Sequence, residues 1–433
     1  MYAPPVEAYG RYEPITLKNI NRHPSYKRLP ASLRQELEVA AQVLPFRTNA
    51  YVLDELIDWK KVPDDPIFQL VFPQREMLAK EDYRLVEAAL RRGDAGALKT
   101  AVWRVRRKMN PHPAGQLTHN VPMLEGRKLH GLQHKYRETV LFFPAGGQTC
   151  HAFCTYCFRW AQFVGDRELK IESSRVEDLV AYLRLHPQVS DVLITGGDPL
   201  VMKAGLLARY LRPLLKVETL TSIRLGSKSL AYWPARYVSD PDSAELLNLF
   251  EEITAAGKRL AFMAHSSHPR ELETPLAKQA VRNILSSGAL IRTQAPLIRR
   301  VNDSAAVWAE KWRLEVGLGM TPYYMFVERD TGPKQYFDVP LARAQRIFAD
   351  AYRQVSGLAR TVRGPSMSAF PGKVRIVGVA EIGGEKVFVL EFLQARNPVW
   401  VGRPFFARYD AQASWLSELQ PAFGAKRFFF EEG

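Results

Sequence analysis

The chain holds 433 residues, with 60 Lys and Arg against 45 Asp and Glu, for a formal net charge of +15. Hydrophobic residues make up 46% and charged residues 24%, the balance of a globular chain rather than a disordered or fibrous one. No run of about 18 apolar residues occurs, which excludes an apolar helical membrane span. The basic residues are scattered rather than gathered into a tail, so nucleic acid is disfavoured as a partner and small anionic ligands explain the charge as well.

The opening stretch MYAPPVEAYGRYEP lacks the basic-then-apolar order of a leader, so a cytoplasmic location is expected. Residues 1–125 read as a helical N-terminal region. ASLRQELEVAAQVL (31–44) and KEDYRLVEAALRR (80–92) repeat apolar residues at i, i+3 and i+4, between breaks such as KVPDDP and MNPHPAGQ. From about 137, short β-branched and aromatic runs alternate with helical ones. The expected strands are ETVLFF (138–143), SDVLIT (190–195), SIRL (222–225), RLAFMA (259–264), ALIRTQ (289–294) and TPYYMF (321–326). Between them lie SRVEDLVAYLRLH, AGLLARYLRPLL, SAELLNLFEEITAAG, TPLAKQAVRNILSSG and AAVWAEKWRLEVG. Such alternation predicts an α/β fold with a parallel sheet. Six units, with no obvious seventh or eighth, predict an open, partial (β/α)6 barrel over residues 126–335. A C-terminal extension, 336–433, carries the helical PLARAQRIFADAYRQVS and then a β-rich tail containing KVFVLEFL.

All three cysteines of the chain, Cys150, Cys154 and Cys157, fall within CHAFCTYC. An odd count packed into eight residues cannot form a disulfide framework and fits a reducing compartment. In C-x3-C-x2-C each thiolate can hold one iron of a cubane cluster, leaving the fourth iron without a protein ligand. A zinc site of three cysteines and one histidine is the alternative, although His151 sits close in the same loop. The loop follows the first strand of the expected barrel. Gly196-Gly197-Asp198-Pro199 follows the second, Gly226-Ser227-Lys228 the third, His265 the fourth, Gln294 the fifth and Glu328-Arg329-Asp330 the sixth. Parallel barrels place their working residues at the C-terminal ends of strands, so these segments point to one shared mouth.

In this order and spacing, HGLQHKYRETVL, CHAFCTYCFRW, DVLITGGDPL, IRLGSKS, LIRRVND and TPYYMF resemble the radical S-adenosylmethionine superfamily, and within it the lysine 2,3-aminomutase family. The resemblance runs from about residue 64 to the PGK at 371–373. It implies a radical S-adenosylmethionine barrel carrying a 4Fe–4S cluster on Cys150, Cys154 and Cys157. It implies S-adenosylmethionine bound along Tyr156, Gly196, Gly197, Asp198, Ser227 and Gln294. It also implies pyridoxal phosphate, held covalently by Lys373, with Lys135 and Arg137 in the region of its phosphate. Arg159 matches the arginine that clamps the substrate carboxylate. The small-molecule substrate would be an amino acid, the reductant an electron donor such as a flavodoxin or ferredoxin, and the resemblance allows a homo-oligomer.

Two departures bear on this reading. The lysine-specific members hold the substrate ammonium between two aspartates, where this chain has Arg329 (with Asp330 one residue on) and Ser366. Members acting on glutamate make a similar swap, so an acidic or neutral amino acid is expected here. The cysteine-bound zinc of the C-terminal region in some members has no counterpart, because no cysteine follows Cys157. A radical enzyme of the same fold without pyridoxal chemistry, or one acting on a protein side chain, is the alternative. A non-catalytic iron–sulfur scaffold is a third.

Overall fold

The six strands of the barrel fall where the alternation places them. The computed structural model describes residues 9, 11–112, 118–165 and 167–431, so most of the opening stretch and part of MNPHPAGQ lie outside the described residues. A small ribbon, β1 (Met123–Leu124) and β2 (Arg127–Lys128), precedes the main sheet. That sheet runs in chain order through β3 (Leu132–Tyr136), β4 (Thr139–Phe142), β5 (Asp191–Ile194), β6 (Ser222–Ser227) and β7 (Arg259–His265). It continues through β8 (Leu290–Leu297), β9 (Thr321–Val327), β10 (Arg363–Ser368), β11 (Gly372–Ile382), β12 (Glu385–Ala395) and β13 (Pro404–Arg408).

Strands β4 to β9 are parallel, each paired with its successor. The first strand of the C-terminal extension, β10, adds to β9 in the same direction; β11, β12 and β13 then follow antiparallel. At the other edge β3 is antiparallel to β4. The sheet curls far enough that Lys135 Nζ, on β3, donates to the Ala369 carbonyl just beyond β10. The extension is therefore continuous with the barrel sheet. The boundary expected at 335/336 falls inside a short helix, Lys334–Phe337.

Period-two alternation sorts each strand into two faces. Val192, Ile194, Ile223, Leu225, Leu260 and Phe262 are fully buried in one cluster with Leu179 and Leu183 (helix 176–185), Leu207 and Leu211 (helix 204–215), and Leu246 and Phe250 (helix 243–255). Burying a side chain of this size contributes roughly 1.5–3 kcal/mol. The alternate positions carry polar groups, including Asp191, Arg224, Arg292 and Gln294. Asp191 accepts from Arg224 Nε at 2.9 Å and from the Ser222 hydroxyl at 2.8 Å, so these charges meet their partners across neighbouring strands.

The helical N-terminal region, with helices at Ala31–Val43, Lys80–Arg91 and Ala95–Met109, packs on the barrel mouth. Tyr51, Phe68 and Leu70 share a cluster with Ala152, Tyr156 and Trp160 of the cysteine loop. Among the described residues, no helix is long and apolar enough to cross a membrane.

Candidate active site

The cysteine loop has little regular structure of its own and is held by its neighbours. The Phe153 and Thr155 N–H groups donate to the Arg47 and Leu70 carbonyls, each at 2.9 Å, and the Thr155 hydroxyl donates to the Gln69 carbonyl at 2.7 Å. Asn49 Nδ2 donates to the carbonyls of both His151 (3.2 Å) and Tyr232 (3.0 Å). Within the loop, Cys157 N–H donates to the Cys154 carbonyl at 3.1 Å. Each bond satisfies a backbone group that would otherwise be buried unpaired.

Burial pushes all three thiols up, Cys157 to about 12, and the neighbouring cysteines add to the effect at Cys150 and Cys157. A cationic iron centre supplies the positive charge such a trio lacks, so the donor set fits a cluster. Burial moves the His151 imidazole down to about 3, which keeps it neutral. Among the described residues, no group of three or more His, Cys, Asp or Glu side chains forms a single-ion site. A cubane instead spreads its ligands over separate irons.

The turn after β5 lies directly against the cysteine loop. A Cβ on Gly197 would stand 2.6 Å from Thr149 N and 2.7 Å from Thr149 C, so only glycine permits this approach. Asp198 N–H donates to the Thr149 carbonyl at 2.7 Å. The Asp198 carboxylate accepts from Leu200 N–H (2.9 Å), Lys228 N–H (2.9 Å) and the Ser227 hydroxyl (2.8 Å to each oxygen). Asp198 and Ser227 are thus committed to each other, bracing β5 against β6, and the glycine backbone is what remains for a ligand. Burial raises the Asp198 carboxyl to about 6, against the pull of these donors. Tyr156 is buried, with its hydroxyl 3.0 Å from Ser267 Oγ. Gln294 lies within β8 rather than after it, and its Nε2 meets His265 Nε2 at 2.7 Å.

A second group of residues is cationic. The guanidinium groups of Arg159 and Arg329 each lie 5.1 Å from the Phe158 ring centroid, and Arg159 is also 4.3 Å from Phe143. Burial draws Arg159 down to about 10, with Arg329 adding to the effect. Lys135 falls to about 7, first through burial and then through Arg329, Arg396 and Lys373. Lys373 falls to about 7 through burial, with Arg224 and Arg363 adding. Its Nζ rests 4.0 Å from the Tyr324 ring centroid on β9. Lys373 is the second residue of β11 rather than a loop residue. Gly372 must precede it because a Cβ there would come within 2.7 Å of Phe392. Burial raises the Glu328 carboxyl well above the usual range, against the pull of the adjacent Arg329.

Three other expected residues stand differently. Arg137 is exposed on the β3–β4 turn, apart from the buried cations, because the tight antiparallel pairing of β3 with β4 turns it outward. Asp330 pairs with His112 Nε2 at 3.6 Å while its charge also acts on the neighbouring Arg329. Ser366, fully buried on β10, pairs in register with Phe326, and its hydroxyl has no partner. Sequence reasoning missed Asn49, Tyr232, Ser267 and Gln162. The Gln162 amide is buried without a partner at either atom, just past the cysteine loop.

The open three-cysteine loop, the glycine turn against it and the mouth of a parallel barrel define the radical S-adenosylmethionine class of enzyme. No protein-family profile matches the chain. A protein of Aquifex aeolicus provisionally named L-lysine 2,3-aminomutase is 30% identical over 393 residues, covering 90% of this chain and 92% of its own. The chain belongs to the lysine 2,3-aminomutase family. The L-lysine 2,3-aminomutases of Fusobacterium nucleatum and Clostridium subterminale are 27% and 26% identical, over 54% and 52% of this chain and 52% and 51% of their own. A radical SAM methyltransferase from Sphaerobacter thermophilus is 18% identical with a TM-score of 0.36, covering 56% of this chain and 68% of its own. That overlap is too slight to bear on function.

Proposed function

We propose that the chain is a radical S-adenosylmethionine, pyridoxal-phosphate-dependent 2,3-aminomutase, moving the α-amino group of an acidic or neutral polar amino acid to its β-carbon. When bound, the cofactors supply a hydrogen-abstracting carbon radical and an aldehyde that carries the amino nitrogen through its shift. Cys150, Cys154 and Cys157 would hold the 4Fe–4S cluster. The backbone of Gly196 and Gly197, with Tyr156 and Gln294, would border S-adenosylmethionine. Lys373 would hold pyridoxal phosphate, its amine depressed to about 7 and so half neutral near physiological pH, as a nucleophile requires. Lys135 would face the phosphate.

The observation that carries this reading is the set of four cations, Lys135, Arg159, Arg329 and Lys373, gathered at the barrel mouth with no carboxylate in an ion pair with any of them among the described residues. Buried charge with so little direct pairing is costly, and anionic ligands would supply partners. Arg159 and Arg329, each 5.1 Å from the Phe158 ring centroid, would be two guanidinium groups for two carboxylates. A lysine ammonium would meet repulsion from Arg329, which Asp330 offsets only in part because it also pairs with His112.

Anaerobic reconstitution tests this reading. About four irons per chain, reductant-dependent 5′-deoxyadenosine and a borohydride-trapped mass increment on Lys373 are the expected results. Deoxyadenosine without the Lys373 increment would favour a radical enzyme of the same fold that lacks pyridoxal chemistry.

A further inference from the structure

Beside the cysteine loop stands a phenol that the proposed chemistry does not use. Tyr232 closes a short helix, Ser229–Tyr232, directly after β6, and its side chain is buried. Its hydroxyl lies 3.6 Å from Cys154 Sγ, and in the free thiol the S–H donates to the phenol oxygen. A thiolate bound to iron has no proton to donate and can only accept. Loading a cluster therefore reverses this bond, and the phenol O–H donates to sulfur.

The surroundings hold that geometry in place. Asn49 ties the Tyr232 carbonyl to the His151 carbonyl, fixing the spacing between this helix and the cysteine loop. The Lys228 ammonium sits 4.6 Å from the Tyr232 ring centroid and is itself locked by Glu271 at 2.7 Å and the Ser267 hydroxyl at 3.2 Å. The other phenol at this sulfur, Tyr156, is shared between Cys154 and the Ser267 hydroxyl, 3.0 Å away. Tyr232 is the phenol with no competing partner of this kind, its hydroxyl 3.6 Å from Cys154 Sγ.

We infer that Tyr232 tunes the cluster: its hydroxyl donates a hydrogen bond to the Cys154 thiolate and raises the reduction potential. One-electron reduction by an external donor adds negative charge to the cluster and its sulfurs. A donor at sulfur stabilises the reduced state more than the oxidised one, as hydrogen bonds to cluster sulfurs do generally. S-Adenosylmethionine cleavage needs that reduced state, so Tyr232 governs how much of the enzyme is armed at a given poise. This inference rests on the cluster reading of the three cysteines.

The test is a potentiometric titration of the reconstituted wild-type and Tyr232→Phe proteins, followed by electron paramagnetic resonance. Phenylalanine keeps the ring and removes only the donor. At the poise that half-reduces the wild-type cluster, the reduced-to-oxidised ratio in Tyr232→Phe should fall about tenfold, which is about 59 mV for a one-electron couple. One of the exchangeable deuterons coupled to the reduced wild-type cluster should also disappear in the variant, leaving that of Tyr156. Equal potentials with no deuteron signal lost would overturn the inference while leaving the cluster reading intact. The wild-type protein alone gives a further test, since the absence of any exchangeable coupled proton there also overturns it. A wild-type protein that takes up no cluster would overturn both.

Discussion

Replacing Lys373 with methionine removes a charge that the fold holds at a cost, and the size of that cost follows from its surroundings. The amine rests over the Tyr324 ring, and the charges it feels are those of Arg224 and Arg363. Burial takes its pKa from 10.5 to about 7. At about 1.4 kcal/mol per pH unit, this gap is on the order of 5 kcal/mol against the charged form in the native state. Part of the side chain still meets solvent in the barrel mouth, and screening trims the figure to about 2–4 kcal/mol. The native pKa lies below the unfolded one, so the cost is fully present below about pH 7 and fades as the pH climbs toward 10.5. Cofactor-free Lys373→Met protein should therefore be more stable than wild type by about 2–4 kcal/mol near pH 6, less the weak cation–π contact it loses. The two should nearly coincide near pH 10. Urea unfolding of both proteins across this range measures the difference, and Lys135, itself depressed in part by Lys373, adds a smaller change of the same sign. A difference that does not change with pH, or a less stable variant near pH 6, would refute the assignment of Lys373 as a buried, nearly neutral amine.

Other substitutions read other parts of the site. Cys154→Ala should take up no intact cluster, seen as loss of visible absorbance and of the roughly four irons per chain, while circular dichroism stays unchanged. Asp198→Ala leaves the Leu200 and Lys228 N–H groups and the Ser227 hydroxyl without their acceptor. At about 1–3 kcal/mol for each buried group left unpaired, it should lower stability by several kcal/mol and weaken S-adenosylmethionine binding in calorimetry. Arg329→Asp should reverse the charge that a substrate side chain meets. L-lysine should gain on L-glutamate by about a hundredfold or more in relative kcat/KM, and an unchanged order would remove Arg329 from the pocket. Arg137→Ala, at an exposed turn, should leave pyridoxal phosphate affinity within about twofold of wild type, as expected for a surface charge.

The parallel strands were legible because positions packed beneath helices, such as Val192, Ile194, Ile223, Leu225, Leu260 and Phe262, had to be apolar, and that demand writes a pattern into the chain. Strand β10 was not legible. Its sequence, RGPSMS, has little strand character, and its place comes from pairing with β9 on one side and β11 on the other. The nearness of the cysteine loop to the glycine turn could be read because such chemistry restricts residue type and spacing, and the structure brings the two segments together. Their supports could not, because they are distant in sequence: Asn49 meets His151 across 102 residues and Tyr232 across 183. At Arg137 the motif position marks a neighbourhood, and its exposure on the turn shows only in three dimensions. Asp198 falls between these cases, with its position legible and its engagement with Ser227 visible only in three dimensions.

The most direct measurement is anaerobic incubation of the reconstituted protein with S-adenosylmethionine, pyridoxal phosphate and a reductant. L-glutamate, L-glutamine, L-arginine and L-lysine are supplied one at a time, and each β-amino isomer is quantified. The account predicts that an acidic or neutral amino acid forms its β-isomer faster than L-lysine does. Fastest conversion of L-lysine would contradict the charge argument built on Arg329, and no β-isomer from any amino acid, in a protein that still makes 5′-deoxyadenosine, would contradict the aminomutase reading itself.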